Sequence, residues 1–305
     1  MHLSAYIGFL AGSTFFALAT FYPAIESRLM HESQPTGAVV LFGGDAFFDR
    51  TIRATMEEKG GAFVFSCIND LFSAPDLVVL NLEGPITNNA SVSLGSAPGT
   101  PENFRFTFAS EVAALLRDVN VRLVNLGNNH ILNFGYDGVA QTLTYLEQAG
   151  VEYFGEPDTY SVSYQSINDV HLAFVSYNEF GGSAEKTKEQ VALARGQDYM
   201  PVVYTHWGPE YLPVSPLYLQ ELAREFVDAG AELVIGSHPH VVQQSELYEG
   251  KYIYYSLGNF IFDQYFNEEV RNGLMVEVMF SKEGVADIKE IPIYLGRDRR
   301  TCVVE

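Results

Sequence analysis

Side chains that can bind metals or transfer protons follow short apolar segments of this sequence, at the positions where buried strands would end. They are Asp45, Glu83, His130, His206, His238 and His240. Imidazole and carboxylate ligands together suit Zn, Mn or Fe, whereas a ligand set made only of oxygens suits Mg or Ca. His238 and His240 flank a single proline. In a strand both would point to one face, and on a turn they can reach two neighbouring metals. The pattern predicts a site for one or two divalent metal ions.

The apolar segments that carry these residues have the length and composition of strands buried on both faces. They cover residues 38–45, 76–84, 121–130, 170–178, 200–208, 231–240 and 251–260. Helical patterns lie between several of them, with starts predicted at Ser110, Asp137 and Ser215-Pro216. This alternation predicts an α/β domain, in which ligands gather at the carboxyl ends of strands. Residues 181–199 have the character of a surface insertion, partly helical.

The first 25 residues form a separate apolar segment. Leu3 to Ile25 carries no charged residue and is as long as a bilayer core requires. A cleaved signal peptide is the alternative, because Ala17-Leu18-Ala19 suits a cleavage site. A buried core helix is a third interpretation, which the two glycines and Pro23 of the segment disfavour. We expect an N-terminal membrane anchor or signal segment at 1–25, a linker at 26–37 and the folded domain at 38–305.

Charge and cysteine content restrict the partners. The formal net charge is -20 although only 18% of the 305 residues are charged, because Lys and Arg are scarce. Such a surface repels polyanions, so no nucleic-acid partner is expected. The two cysteines, Cys67 and Cys302, are not spaced as metal ligands. They can form a disulfide only if the fold brings the end of the chain near residue 67.

Six segments carry a family resemblance. They are G-G-D-A-F-F-D-R (43–50), N-L-E-G-P-I (81–86), N-N-H-I-L-N-F-G (128–135), H-W-G-P-E-Y (206–211), G-S-H-P-H-V-V-Q (236–243) and Y-S-L-G-N-F-I-F-D (255–263). Together they resemble the CapA family of capsule and poly-gamma-glutamate biosynthesis proteins, over about residues 38–280. The resemblance implies the calcineurin-like metallophosphoesterase superfamily. It thus implies a four-layer α-β-β-α sandwich with a two-metal site, preceded here by the N-terminal hydrophobic helix.

The resemblance also implies a role for each candidate residue. Asp45 and His240 correspond to ligands of the first metal, and Glu83 to the carboxylate that bridges two metals. The ligands implied for the second metal are Asn129, His206 and His238.

Further residues of the resemblance support these ligands. His130 corresponds to the histidine that protonates the leaving group, and Asn128 and Asn259 are expected to orient metal ligands. Arg50 is expected either to hold an anionic substrate or to form a salt bridge at the start of a helix.

Three positions depart from the superfamily or family pattern. The superfamily opens with Asp-x-His, but Asp45 is followed by Ala46 and Phe47, so one ligand of the first metal is missing. Glu83 replaces an aspartate, and Asn133 stands where the family usually has an acid. These departures weaken the first metal site more than the second.

The function implied is capsule or poly-gamma-glutamate biosynthesis or export, with a phosphoesterase-type hydrolase site using Mn, Zn or Fe. The expected partners are membrane components of the synthesis complex and an anionic polymer or phosphoester substrate. The alternatives are a non-catalytic scaffold of a surface-polymer export complex and a secreted metal-dependent phosphatase or nucleotidase. We expect a single N-terminal anchor in the cell membrane with the domain outside the cytoplasm, or else a secreted protein.

Overall fold

The computed structural model describes residues 37–304. Within them the strands are β1 (Ala38–Ala46), β2 (Leu77–Leu82), β3 (Val121–Asn125), β4 (Glu152–Phe154), β5 (Ser163–Ile167), β6 (Val170–Asn178), β7 (Met200–His206), β8 (Leu233–Ser237), β9 (Ser245–Tyr248), β10 (Lys251–Tyr254), β11 (Asn259–Ile261), β12 (Asn272–Ser281), β13 (Gly284–Leu295) and β14 (Thr301–Val303). The helices are α1 (Arg50–Lys59), α2 (Asn69–Ser73), α3 (Glu111–Asp118), α4 (Gly135–Ala149), α5 (Ala184–Gly196) and α6 (Leu217–Asp228). Short 3₁₀ turns lie at Gly61–Phe65, Pro101–Phe104 and Glu269–Arg271. The predicted α/β class is confirmed.

The strands form two sheets. The first has eight strands in the order β14-β13-β12-β1-β2-β3-β4, with β11 paired to β1. Its strands β1 to β4 are parallel, while β12, β13 and β14 extend it in antiparallel pairs. The second has six strands in the order β5-β6-β7-β8-β10-β9, and β6, β7, β8 and β10 are parallel. Each sheet therefore has a parallel centre, whose strand ends can build a site.

One apolar layer joins the two sheets. Val40 and Phe42 of β1 lie in it together with Phe174 of β6 and Val202 of β7, and all four are fully buried. Leu41, between Val40 and Phe42, belongs to the core on the other side of the first sheet. Since successive side chains of a strand face opposite sides, a strand covered on both faces is apolar at every position. This explains the uninterrupted apolar runs of the sequence.

Helices cover the outer face of each sheet. On the first sheet, α1, α3 and α4 contribute Ile52, Val112 and Leu146 to the core. On the second, α5 and α6 contribute Val191 and Phe226. The layers therefore run helices, sheet, sheet, helices.

Two helix predictions need correction. Helix α4 begins at Gly135, whereas the sequence predicted a start at Asp137. Asp137 lies in the first turn, where its negative charge interacts favourably with the positive end of the helix dipole. Residues 181–199 are partly helical as predicted, but they are not an insertion. Thr187, Val191 and Ala194 of α5 are buried against the second sheet. These three residues are four and three positions apart, as expected for one face of a helix, but the charged residues between them obscure this pattern in the sequence.

A disulfide joins Cys67 to Cys302 across 235 residues of sequence. Strand β14 carries Cys302 to the segment after α1, where the two cysteines also form an isolated parallel bridge. The sequence allowed this disulfide only if the end of the chain lay near residue 67. Strand β14, at the edge of the first sheet, brings it there.

The predicted anchor or signal segment at 1–25 and the linker up to residue 36 lie outside the described residues. In the part of the chain from residue 37 to residue 304, no helix has the length and apolarity that crossing a membrane requires.

Candidate metal centre

Strand register aligns polar residues at the carboxyl ends of the parallel strands. In the first sheet Asp45 of β1 pairs with Asn81 of β2, which pairs with Asn125 of β3. In the second sheet His206 of β7 pairs with Ser237 of β8. All five residues are fully buried. Since parallel strands end at the same edge of a sheet, each row forms one wall of a polar site inside the apolar core.

The turn that follows β8 connects the two walls. The backbone N–H of His238 donates to Oδ2 of Asp45 at 3.1 Å, which ties the second sheet to the first. His238 and His240 have φ angles of 96° and 59°. Non-glycine residues adopt this left-handed region uncommonly, and mostly in turns. The two histidines therefore lie on a strained turn and not in a strand.

A first group of ligand atoms comes from Asp45, Glu83 and His240. Their ligand atoms all lie within 4.8 Å of one another, and all three residues are buried. Nδ1 of His240 lies 3.3 Å from Oδ2 of Asp45 and 2.9 Å from Oδ1 of Asn259. Because Asn259 can accept the Nδ1 proton, Nε2 of His240 is left to bind a metal. Nε2 lies 3.7 Å from Oε1 of Glu83.

Glu83 has the environment of a metal-binding carboxylate. It is fully buried, and neither of its side-chain oxygens accepts a hydrogen bond. The ring nitrogens of His240 and His130 lie 3.7 and 3.9 Å from Oε1, beyond hydrogen-bonding distance. A buried carboxylate without a partner is costly, and a divalent cation would satisfy it. The residues present therefore fit the metal that the resemblance implies.

A second group of ligand atoms comes from Asn129, His206 and His238. Nε2 of His206 lies 2.9 Å from Oδ1 of Asn129 and 3.0 Å from Nδ1 of His238. Ser237 donates its hydroxyl to a backbone carbonyl, so its oxygen can accept the proton of Nδ1 of His206 at 3.1 Å. Nε2 of His206 is then free to bind a metal beside the other two ligand atoms. Glu83 also belongs to a group with His206 and His238, so its carboxylate is shared by both sets.

Asn81 lies at the centre of the site, although it is not among the residues predicted from the sequence. Its Nδ2 donates to Oδ1 of Asp45 at 2.8 Å and lies 3.2 Å from Nδ1 of His206. Its Oδ1 accepts from Nδ2 of Asn125 at 3.0 Å and from Nδ2 of Asn128 at 3.2 Å. The available signal was a polar residue inside an apolar strand, where a buried amide requires partners.

His130 lies at the edge of the site, after β3. Its Nδ1 is 3.2 Å from Oδ1 of Asn133, and its ring packs 4.2 Å from that of Phe106. Asn128 accepts the backbone N–H of His130 at 3.1 Å and donates to the carbonyl of Leu82 at 2.8 Å. Asn133 thus holds Nδ1, and Nε2 faces Glu83. Asn128 thus contacts both His130 and Asn81, and its role in orienting metal ligands stays a prediction.

Arg50 forms the salt bridge that was one of its two expected roles. Its Nη2 lies 2.5 Å from Oδ1 of Asp263, at the start of α1. The guanidinium also stacks over Phe47 and Phe106, 4.6 and 5.0 Å from the ring centroids. Its role in holding a substrate stays a prediction.

The position of the missing superfamily ligand is filled by an aromatic side chain. Phe47 is fully buried, stacks on Phe262 at 4.5 Å and meets Phe106 and Phe108 edge-on. At the position where the resemblance implies an imidazole ligand, the chain therefore has an apolar side chain that belongs to the core.

Burial shifts the ionisation of the site residues. It raises the pKa of Glu83 well above its usual value, and the negative charge of Asp45 adds to the effect. For Asp45 burial acts in the same direction, but the hydrogen bond and charge of His240 outweigh it and lower the pKa. Burial also lowers the pKa of His130 to about 4 and of His238 to about 3, and it lowers the pKa of His206 well below its usual value. Without metal these imidazoles are neutral at pH 7, the form that binds a metal.

The structure thus gathers the predicted ligands at one place, at the carboxyl ends of β1, β2, β3, β7 and β8. A family model described as bacterial capsule synthesis protein PGA_cap matches residues 39–264, a range that includes all of them. The chain belongs to this family.

Several relatives carry related descriptions. The PGA biosynthesis protein CapA of Bacillus subtilis is 29% identical over 272 residues, covering 83% of this chain and 70% of that protein. The capsule biosynthesis protein CapA of Bacillus anthracis is 27% identical over 273 residues, covering 82% and 66%. A probable polyglutamine synthesis accessory protein of Mycobacterium tuberculosis is 25% identical over 221 residues, covering 63% and 57%.

Proposed function

We propose that this protein is a capsule or poly-gamma-glutamate biosynthesis or export component with a divalent-metal centre that hydrolyses a phosphoester or similar anionic bond. The observation that carries the proposal is the environment of Glu83. Both of its oxygens are buried without a hydrogen-bond donor, between the two groups of ligand atoms. The descriptions of the relatives support the polymer-related part of the proposal.

The ligand groups divide between two positions. Asp45 and His240 would hold one metal, and Glu83 would contribute to both. The ligands of the other metal would be Asn129, His206 and His238. A bound Mn, Zn or Fe ion would supply a water nucleophile at neutral pH and neutralise charge on the substrate. The helix-sheet-sheet-helix layering is in keeping with a metallophosphoesterase-type sandwich.

The residues of the chain would perform the remaining steps. Asn81 and Asn259 hold Asp45 and His240 in place through hydrogen bonds of 2.8 and 2.9 Å. Nε2 of His130 lies 3.9 Å from Oε1 of Glu83, and His130 would pass a proton to a leaving group from this nitrogen when its imidazole is protonated. The apolar layers around the site exclude water from the buried carboxylates, which strengthens their attraction for a cation.

We further propose that the domain works outside the cytoplasm, at the cell membrane, with membrane components of a polymer synthesis complex. The disulfide between Cys67 and Cys302 supports this location, because disulfides persist mainly in oxidising compartments. The uncharged segment from Leu3 to Ile25 would supply the anchor.

A second candidate function is a non-catalytic component of the same export machinery. The observation that favours it is Phe47, whose burial in an aromatic cluster removes a ligand from the first group. In that case the second group would hold a single structural metal.

Metal content and hydrolysis distinguish the two functions. The purified full-length chain is analysed for bound metal, and hydrolysis of p-nitrophenyl phosphate and bis-p-nitrophenyl phosphate is followed with Mn or Zn added. The hydrolase predicts stoichiometric metal and turnover that His130→Ala abolishes while metal stays bound. Glu189→Gln, an exposed residue of α5, is the control.

Polymer production in cells supplies the second test. A metal-free chain whose double variant His238→Ala/His240→Ala still sustains polymer production would leave only the scaffold. Stoichiometric metal without turnover on either substrate, together with normal polymer production in His130→Ala, would also favour the non-catalytic component.

A further inference from the structure

Glu210 lies beside the metal centre and belongs to none of the expected ligand sets. It follows the end of β7 in the loop that begins at His206. Its carboxylate forms a group with ring nitrogens of His238 and His240, all within 4.8 Å of one another. Asp45 and Glu83 are fully buried, whereas Glu210 is exposed. It therefore approaches the two histidines from the solvent side of the centre.

The loop that carries Glu210 is held on both sides of this residue. On one side, the backbone N–H of Gly208 donates to Oε2 of Glu179 at 2.6 Å. On the other, the backbone N–H of Tyr211 donates to the carbonyl of Pro239 at 2.8 Å. The second bond joins the loop directly to the turn between His238 and His240. The backbone on either side of Glu210 is thus held beside the turn that carries the two histidines.

The distances are compatible with coordination. Two ligand atoms on one zinc-type ion lie at most about 4.2 Å apart, twice a metal–ligand distance of about 2.1 Å. A separation of up to 4.8 Å therefore closes with a small rotation of an exposed glutamate side chain. The first ligand group also needs another donor, since Phe47 occupies the place of an imidazole.

We propose that Glu210 is a metal ligand that completes the first group from the solvent side, with His240, Asp45 and Glu83. The inference rests on the proposed metal centre and deepens it. Three carboxylates and one imidazole make an oxygen-rich site of the kind that accepts Mn²⁺. The second group, with two imidazole nitrogens and the amide oxygen of Asn129, has more nitrogen ligands than the first.

Titration with Mn²⁺ alone tests this assignment. The full-length chain is freed of metal, and free Mn²⁺ is followed by electron paramagnetic resonance in the wild type, Glu210→Gln, His206→Ala and the control Glu189→Gln. Glu210→Gln is expected to raise the Kd of the weakest-bound ion about tenfold or more. Loss of a residue that only hydrogen-bonds to a metal ligand already weakens binding about tenfold, and loss of a ligand should weaken it at least as much. Glu189→Gln leaves every Kd unchanged, and the metal-free melting temperature of Glu210→Gln matches the wild type because Glu210 is exposed.

The outcomes separate the two proposals. Kd values in Glu210→Gln within twofold of the wild type, together with weakened binding in His206→Ala, overturn the role of Glu210 and leave the metal centre standing. A wild-type chain that binds no Mn²⁺ or Zn²⁺ overturns both.

Discussion

Replacing Glu83 with glutamine separates its effect on folding from its effect on metal binding. Glutamine has nearly the same shape, and neither Glu83 oxygen has a hydrogen-bond partner to lose. In the metal-free protein we therefore expect Glu83→Gln to change the free energy of unfolding by no more than about 1 kcal/mol. The metal-bound protein should behave differently, because the variant lacks the charge shared by both ligand groups.

The size of the difference follows from mass action. With free Mn²⁺ at one hundred times the Kd, the wild type gains about 2.7 kcal/mol. In a domain of this size that raises the melting temperature by roughly 5–10 °C. If Glu83→Gln weakens binding by about 10- to 100-fold, the same Mn²⁺ concentration stabilises the variant by only about 1.4 to 0.4 kcal/mol.

The assay is thermal unfolding followed by circular dichroism, with Mn²⁺ or with a chelator. The matched control is Glu232→Gln, because Glu232 is equally buried but paired with Lys251 at 2.7 Å and Arg195 at 3.1 Å, away from the site. It should lose about 1–3 kcal/mol in both conditions and keep the full Mn²⁺ increment. An equal Mn²⁺ increment in Glu83→Gln and the wild type would contradict a shared role of Glu83 in metal binding, as would a wild type that Mn²⁺ does not stabilise.

Three further predictions concern the scaffold of the site. Asn81→Ala removes three hydrogen bonds inside the core and should cost about 2–4 kcal/mol in urea unfolding, whereas exposed Asn88→Ala should stay within about 0.5 kcal/mol; equal losses would contradict the central position of Asn81. Gly44→Ala brings a methyl group against the carbonyl oxygen of Gly258, just before β11, and should lower the free energy of unfolding by about 3 kcal/mol or more. The control Gly181→Ala, which has open space around it, should fold normally. Cys302→Ser should lower the melting temperature by roughly 5–20 °C, and dithiothreitol should lower the wild type to the same value; a wild type insensitive to reductant would argue against the disulfide.

Much of the fold could be predicted from sequence because burial leaves a direct pattern. A strand covered on both faces is apolar throughout, so the segments around Phe42, Val79 and Val203 stood out as buried strands. Helix α5 was misjudged because a helix that is buried along one narrow face shows only Thr187, Val191 and Ala194 among charged residues. The apolar pattern of a helix is a weak guide to its burial when only a few of its positions are buried.

The candidate ligands could be named from sequence for a related reason. Side chains that follow buried strands collect at one edge of each sheet, so Asp45, His206 and His238 were identifiable one by one. The local signal of Asn81 is a polar residue inside an apolar strand, which does not by itself show what the amide contacts. A glutamate in a loop, such as Glu210, carries no local signal of a site. Their positions result from strand register and from the bond between Tyr211 and Pro239.

The α/β class, the family resemblance and the types of ligand available follow from the composition and the order of residues along the chain. Which ligand atoms meet depends instead on how distant segments pack. The contact of Asp45 with the backbone of His238 spans 193 residues and depends on how two sheets pack. The same packing leaves Glu83 without a hydrogen-bond donor, fills the place of a missing imidazole with Phe47 and brings Cys302 to Cys67. Such contacts join distant parts of the chain, and local sequence carries no record of them.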